Sequence, residues 1–262
     1  MQIKMDGRVV FITGGSKGLG LAMGERMAEC GAAIALVARG KEDLETARAK
    51  IAATGAKVTA HSCDVSNPDA IKTTWADAIA AHGKIDVLIN NAGQSYRGPF
   101  EKVTDEEWEA DLQLKLFAQI RLSRLAFPDM KARRWGRIIN ILNVGAKAPP
   151  AEGAPTAVTR AAGLALTKVM ANEGAPHNVL VNALCTGLID SDQHARRHAA
   201  SVAKGSTETY AEFLAKMGKA VPIGRVGEAR EFADAALFLA SDMGSYIAGV
   251  AINVDGGRSP VT

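Results

Sequence analysis

An α/β fold, with a doubly wound parallel sheet between two layers of helices, is what this sequence predicts, and three observations predict it. Seven short apolar runs recur at 9–13, 33–37, 57–62, 87–90, 137–142, 179–184 and 250–254, with longer helical patterns between them. The runs are nearly uniformly apolar rather than alternating, as strands covered on both faces require. The first run ends in a glycine cluster that opens a helical pattern. This βαβ rhythm demands parallel pairing through helical crossovers, and hence three layers in a Rossmann-like sheet. At 262 residues and 47% hydrophobic content the chain can bury a full core as a single domain.

Bulk composition excludes several function classes. A net charge of +3, from 31 basic and 28 acidic residues, gives no large one-signed field, so neither nucleic acid nor a membrane surface is implied as a partner. The local basic run Lys131, Arg133 and Arg134 reads as a solvated helix end. Cys30, Cys63 and Cys185 are scattered, without metal-ligand spacing, and read as buried small residues in a reducing compartment; no metal is expected. The opening MQIKMDGRVVFITGG lacks the features of a secretory signal. No run approaches the ~20 apolar residues of a membrane span. The expected location is cytoplasmic.

Taken in order, the first run leads into Gly14, Gly15, Ser16, Lys17, Gly18, Leu19 and Gly20. Glycines are needed where backbone turns tightly and where phosphate oxygens approach main-chain N–H groups at a helix N-terminus. The second run ends in Val37, Ala38 and Arg39, with no carboxylate there to accept from the hydroxyls of an adenosine ribose. Arg39 offers a guanidinium fork and Lys17 a second cation, a pair suited to a 2′-phosphate. The cofactor expected is therefore NADP (NADPH) rather than NAD. The third run is followed by Asp64 and Val65, and the fourth closes in Asn90, Asn91, Ala92 and Gly93. A long helical pattern spans 104–131. A second helix, beginning near Thr156, carries the small residues Ala161, Ala162, Gly163 and Ala165. The segment 192–222 is polar, holds His194, Arg196, Arg197 and His198, and has Gly205 and Gly218 as hinges; it reads as a helical substrate lid, with a plain surface excursion as the alternative.

The TGxxxGxG spacing of Thr13 to Gly20, the NNAG of Asn90 to Gly93 and the terminal Asp255, Gly256 and Gly257 together resemble the short-chain dehydrogenase/reductase family over essentially the whole chain. The resemblance implies that Asp64 and Val65 touch the adenine and that Asn91, Ala92 and Gly93 support the ribose side. It also implies that Gly187, Ile189 and Ser191 form the loop beside the nicotinamide, with Thr186 in place of the family's proline. Pairing through the helix 104–131 and the helix from Thr156 would give a homodimer or homotetramer.

At the catalytic positions the pattern breaks. The family works with a serine, a tyrosine, a lysine four residues after it, and an asparagine, yet no tyrosine lies between Arg97 and Thr209 here. Alignment places Asn143 at the serine position, Thr156 at the tyrosine, Arg160 at the lysine and Lys115 at the asparagine. A phenol near pKa ~10 can be drawn toward neutrality by a neighbouring cation, whereas a threonine hydroxyl ionises far too weakly. Thr156 and Asn143 retain hydrogen-bond donors for a carbonyl oxygen. Arg160 keeps a positive charge and a ribose-gripping fork but stays protonated. A lysine beside an arginine in a partly buried site is depressed, which makes Lys115 a candidate proton donor; alternatively its stem fills space and its ammonium reaches solvent or a carboxylate. Tyr96, just after NNAG, is either a second donor or a pocket-lining aromatic. With Arg97 and His194 it completes the expected substrate side, and Lys115, Arg160 and Arg97 suggest an anionic substrate.

Three functions remain open at this point. The first is an NADP-dependent oxidoreductase with an atypical active site, acting on a small carbonyl/alcohol pair. The second is a catalytically inactive nucleotide-binding sensor or scaffold. The third is a lyase or dehalogenase on the same frame.

Overall fold

Seven parallel strands form the central sheet of the computed structural model, which describes residues 3–262. They are β1 (Val9–Thr13), β2 (Ala33–Ala38), β3 (Val58–Ser62), β4 (Val87–Asn90), β6 (Gly136–Asn143), β8 (Val179–Thr186) and β9 (Ala251–Val254). Two-residue strands β5 (Arg97–Gly98) and β7 (Ala154–Pro155) pair antiparallel outside it. The helices are α1 (Gly18–Glu29), α2 (Lys41–Ala52), α3 (Pro68–His82), α4 (Asp105–Leu112), α5 (Ala118–Ala132), α6 (Thr156–Gly174), α7 (Asp192–Val202), α8 (Tyr210–Gly218) and α9 (Ala229–Ala240).

The strand order is β3-β2-β1-β4-β6-β8-β9, so the chain winds outward from β1 in one direction and from β4 in the other. Two apolar layers hold it together. On one face Met23 and Met27 of α1, Leu44 and Ile51 of α2, and Phe232 and Leu237 of α9 pack on Ile12, Leu36 and Ile89. On the other, Ile71 of α3, Leu122 and Met130 of α5, and Met170 of α6 cover Phe11, Leu88 and Ile138. Strands with apolar side chains on both faces need helices on both, and the uniformly apolar runs acquire them here. No helix among the described residues is long and apolar enough to cross a membrane.

Strands β6 and β8 run past the apolar stretches that announce them. Their register carries on to the pair Asn143 and Thr186, two polar residues at the carboxyl ends, because backbone pairing continues where side-chain burial stops. Beneath these ends lies a buried polar chain: Asn90 Nδ2 donates to Asn140 Oδ1 (2.9 Å), Asn140 Nδ2 to Thr167 Oγ1 (2.9 Å), and that hydroxyl to Gly163 O (2.8 Å). It ties β4 and β6 to α6 and so fixes the angle at which α6 meets the sheet. The segment 192–222 folds as α7 and α8, joined by the His198 ring packed 5.4 Å from Tyr210 and 5.6 Å from Phe213.

At the opposite edge of the strands, Asp86 is fully buried between β1, β4 and α5. Its carboxylate accepts from Val9 N (3.0 Å) and faces Arg133 Nη1 (2.6 Å) and Lys84 Nζ (3.0 Å). Removing it strands a main-chain donor and two cations. Asp86→Ala is therefore expected to lower the urea midpoint by the equivalent of about 3 kcal/mol, with the slope of the transition unchanged.

Candidate functional site

A cavity of about 460 Å³ opens at the carboxyl ends of the strands, across the point where β1 and β4 part company. Doubly wound sheets leave a crevice there because the loops from the two halves diverge. Thr13 fastens its floor: its hydroxyl donates to Ile89 O (3.3 Å) and accepts from Asn91 N (2.9 Å) and Ala92 N (3.0 Å). Asn91 answers by donating Nδ2 to Thr13 O (2.9 Å) and Gly14 O (3.2 Å). The glycine loop lies against this clasp without room for side chains. A Cβ on Gly20 would stand 2.1 Å from Gly14 O, and one on Gly14, held at φ 65°, would stand 2.9 Å from Asn91 Nδ2. No side chain caps the start of α1, so its first N–H groups remain available to an anion at the end where the helix dipole favours one.

Arg39, Asp64 and Val65 line the same cavity from the ends of β2 and β3, and Lys17 borders it from the glycine loop. Lys17 Nζ rests 2.7 Å from Asp43 Oδ2, a half-exposed pair that a phosphate would compete with. Asp64 accepts from Ser66 Oγ (2.7 Å) and Ser66 N (2.9 Å), which, with Arg39 nearby, holds its carboxyl below the usual range. These groups fit an adenosine phosphate. The glycine cradle offers N–H donors without steric obstruction, and Lys17 and Arg39 put two cations on the wall of the same cavity.

The second half of the cavity is lined by the end of β6, by α6 and by a π-helical turn, Gln113–Phe117, that joins α4 to α5. A π turn inserts a residue into the helical ladder and rotates the following side chains, and this one carries Lys115 inward. Lys115 is 2% exposed. Its Nζ contacts Asp111 Oδ1 one helical turn away and donates to Thr156 Oγ1 at 2.6 Å. Thr156 Oγ1 also accepts from Tyr96 N (2.9 Å) and donates to Asp111 Oδ1 (3.2 Å), so the hydroxyl has no bond left for another partner. Burial pushes the Lys115 ammonium down to about 8, with Asp111 opposing the shift and Arg160 reinforcing it. Arg160, on α6, is 8% exposed and its Nη1 has no partner among the described residues. It lies so close to the NNAG turn that a Cβ on Gly93 would stand 2.5 Å from Nη2. Burial lowers its guanidinium to about 10, still charged at neutral pH. Asn143 completes the wall, with Oδ1 buried and unpartnered among the described residues.

Lys115, Asn143, Thr156 and Arg160 therefore border one cavity with Gly14, Ser16, Lys17, Gly18, Leu19, Arg39, Asp64, Val65, Asn91, Ala92, Gly93 and Ser191. Gly20 lies beneath its floor rather than on it. Gly187 and Ile189 stand behind it: a Cβ on Gly187 would meet Asp255 Cβ at 2.4 Å, and Ile189 is buried beside Gly227. Three expected substrate residues are not brought in. The Tyr96 phenol turns outward to donate to Glu107 Oε1 at 2.7 Å, because Glu107 already caps α4 at that spot. Arg97 is exposed on β5, which pairs with β7, and it does not border the cavity that Gln94 and Ser95 line. His194 is buried against the loop at Ile189, on the inner face of α7, and its place toward the cavity is taken by Asp192 and Arg196. Asp111 and Asp43 escape the sequence reading altogether. The i,i+4 spacing of Asp111 and Lys115 was the available signal for the first.

Comparison with known proteins gives a consistent neighbourhood. The family model described as short chain dehydrogenase matches residues 8–201. Among curated proteins, a putative ketoacyl reductase of the granaticin polyketide synthase of Streptomyces violaceoruber is 32% identical, over 95% of this chain and 92% of its own. The 3-oxoacyl-(acyl-carrier-protein) reductase of Aquifex aeolicus is 30% identical, over 98% and 99%. Among solved structures, L-sorbose reductase from Gluconobacter frateurii, complexed with NADPH and L-sorbose, superposes with a TM-score of 0.95 at 31% identity, over 100% of both chains. An NADPH-bound short chain oxidoreductase from Pseudomonas aeruginosa PAO1, described as containing an atypical catalytic center, gives 0.91 at 34% identity, over 99% and 100%.

The cradle's lack of space makes a direct test. Gly20→Ala forces its methyl onto Gly14 O and is expected to abolish saturable dinucleotide binding in a fluorescence titration while the sheet's far-ultraviolet circular dichroism is retained.

Proposed function

This chain belongs to the short-chain dehydrogenase family, and from that premise we propose that it is an NADP(H)-dependent oxidoreductase acting on a small carbonyl/alcohol pair, with Lys115 as its proton donor. The observation that carries the proposal is Lys115 itself: a buried lysine on the cavity wall, depressed to about 8, beside a threonine that stands where the family's tyrosine would be. General acids work best when their pKa lies near the operating pH, and this one does. When bound, NADPH supplies the hydride for a carbonyl carbon. The glycine loop and the free N–H groups of α1 are suited to its diphosphate, and Arg39 with Lys17 to its 2′-phosphate. The NADPH held by similar structures supports the same preference.

Two of the three N–H bonds of the Lys115 ammonium go to Asp111 and Thr156, which leaves one for the oxygen of a substrate in the cavity. Thr156 keeps the ammonium in place rather than acting as the acid, because its own proton is committed to Asp111. Arg160, which borders the cavity with Nη2 beside the NNAG turn, is suited to grip ribose hydroxyls or a substrate carboxylate. Asp111 neutralises one of the two buried cations, so the affinity for an anionic group rests on Arg160 and on Arg196 at the cavity's edge. The helices α7 and α8 are the proposed lid over the substrate, since Asp192 and Arg196 border the cavity from α7. The proposal includes a homodimer or homotetramer, supported by Val158 and Val169, which stand 52% and 56% exposed on α6. The inactive sensor predicts the same nucleotide binding without turnover, and the following measurements separate the two.

Arg39→Ala is expected to weaken NADPH by about tenfold in a fluorescence titration and to leave NADH nearly unchanged. Equal loss for both would remove the 2′-phosphate from Arg39. Lys115→Met is expected to lower the rate of carbonyl reduction about a hundredfold or more, while Thr156→Ala, which leaves Asp111 in place, costs less than about tenfold. Reduction needs the ammonium form, so kcat/KM for reduction should fall as pH rises through about 8, and oxidation, which needs the neutral amine, should rise through the same range. The reverse order of the two variants would take Lys115 out of the mechanism.

A further inference from the structure

We infer that Asp111 is a positioning residue that keeps the Lys115 ammonium protonated and directed into the cavity, so that the proton donor is a lysine–aspartate pair rather than a lone lysine. The inference rests on the proposed role of Lys115, and it names a residue that no catalytic pattern in the sequence assigns.

The geometry carries it. Asp111 is 5% exposed and stands four residues before Lys115, where α4 passes into the π turn. Its Oδ1 takes a short contact from Lys115 Nζ and the hydrogen bond from Thr156 Oγ1 (3.2 Å). Lysine, threonine and aspartate thus close a three-membered ring in which each member touches the other two. Asp111 Oδ2 is buried and has no partner among the described residues, so the carboxylate is committed to this ring and to nothing else. An ordinary helix-surface ion pair has no such enclosure.

The charges around Lys115 can be named from each packed element. Asp111 faces it from α4 and Arg160 from α6, and Arg160 in turn lies near Cys185 of β8. The Cys185 thiol is pushed up by burial to about 11 and is neutral at physiological pH, so it offers no countercharge. Among the described residues, Asp111 is then the one anion in contact with a buried lysine that is repelled by a buried arginine. Burial and Arg160 both favour loss of the Lys115 proton, and Asp111 opposes it. Without the carboxylate, the amine would be largely neutral at pH 7, a base where reduction needs an acid.

The test reads the lysine directly and the reaction separately. In the full chain labelled with 13C-lysine, the Lys115 Cε resonance, identified by its loss in Lys115→Met, is followed by NMR across the alkaline range. The expected midpoint lies near 8 in the unaltered protein and about two units lower in Asp111→Asn. The alkaline limb of the reduction profile should move down by the same amount, with KM and the NADPH dissociation constant little changed. A midpoint in Asp111→Asn that is unchanged or higher overturns the inference, as does a fall in kcat with the pH limb unmoved, which would mark a merely structural residue. Where Asp111→Asn shows no cooperative melting, Asp111→Ser decides: a midpoint below that of the unaltered protein supports the inference, and one unchanged or higher overturns it. A lysine that titrates as expected in a protein that turns over no carbonyl supports the Asp111 assignment and defeats the oxidoreductase reading instead.

Discussion

An ammonium cannot be taken out of water without an opposing charge or a lost proton, and the organisation of this site follows from that constraint. The penalty is several kcal/mol for an isolated ion even after the protein relaxes. Lys115 escapes it by contact with Asp111 and Thr156, which brings α4 and α6 together around one charged group. Arg160 escapes it only in part: the charge of Asp111 opposes its loss of a proton, but its buried Nη1 has no partner among the described residues. A buried donor left open in this way costs the full desolvation of that group, which a native chain tolerates where a ligand will complete the bond. The two cations therefore differ in kind: among the described residues one is hydrogen-bonded and the other is not.

The nucleotide half obeys a different constraint, that of space. Thr13 and Asn91 bind the ends of β1 and β4 to each other so closely that only glycine fits at Gly14 and Gly20. The crevice is consequently lined by main chain rather than by side chains, and main-chain N–H groups are what a diphosphate needs. The long-range polar chain from Asn90 through Asn140 to Thr167 then fixes α6 relative to this floor, which places Arg160 against Gly93. The glycine cradle and the wall that carries Thr156 and Arg160 are thus parts of one packed assembly: a shift in α6 would move both residues with respect to the glycine loop.

How much of this was legible in the sequence depends on the kind of signal involved. Strands that must be apolar on both faces leave runs that are easily read, and the glycine loop is readable because its steric requirement admits a single residue type. The four substituted positions could be placed by counting from those landmarks, and all four border the cavity. Side-chain direction was not legible. Tyr96 adjoins the NNAG turn in sequence, yet its phenol is captured by Glu107, whose role as a helix cap was a matter of local geometry three residues from Thr104. His194 and Arg196 are two positions apart on one helix, and which of them faces the cavity depends on how α7 is rotated against the loop at Ile189. Asp43 was missed because it enters the nucleotide site from the first turn of α2, beyond the strand end where an acidic residue is sought. Asp111 carried a readable spacing to Lys115, but that spacing is common on helix surfaces. Only its burial sets it apart.

In the proposed reaction, Thr156 in the place of the family's tyrosine is chemically coherent once the neighbouring lysine is considered with it. A tyrosine in this position could give its proton to a substrate and draw it back through a nearby cation. A threonine cannot, and here its hydroxyl is spent on Asp111 while its lone pairs accept from Lys115 and from Tyr96 N. The group left on the cavity wall with a transferable proton is the ammonium, whose depressed pKa of about 8 brings it into the range that a phenol reaches only when strongly assisted. In this arrangement the acid is cationic before it gives up its proton and neutral afterwards, the opposite of a phenol, which is neutral before and anionic afterwards. The transition state then moves negative charge on the substrate oxygen toward a positive donor, and the field of Arg160 assists both the loss of the lysine proton and the stabilisation of that oxygen. On the proposed function, such a site would favour carbonyl reduction at neutral pH for as long as Asp111 retains the proton against Arg160.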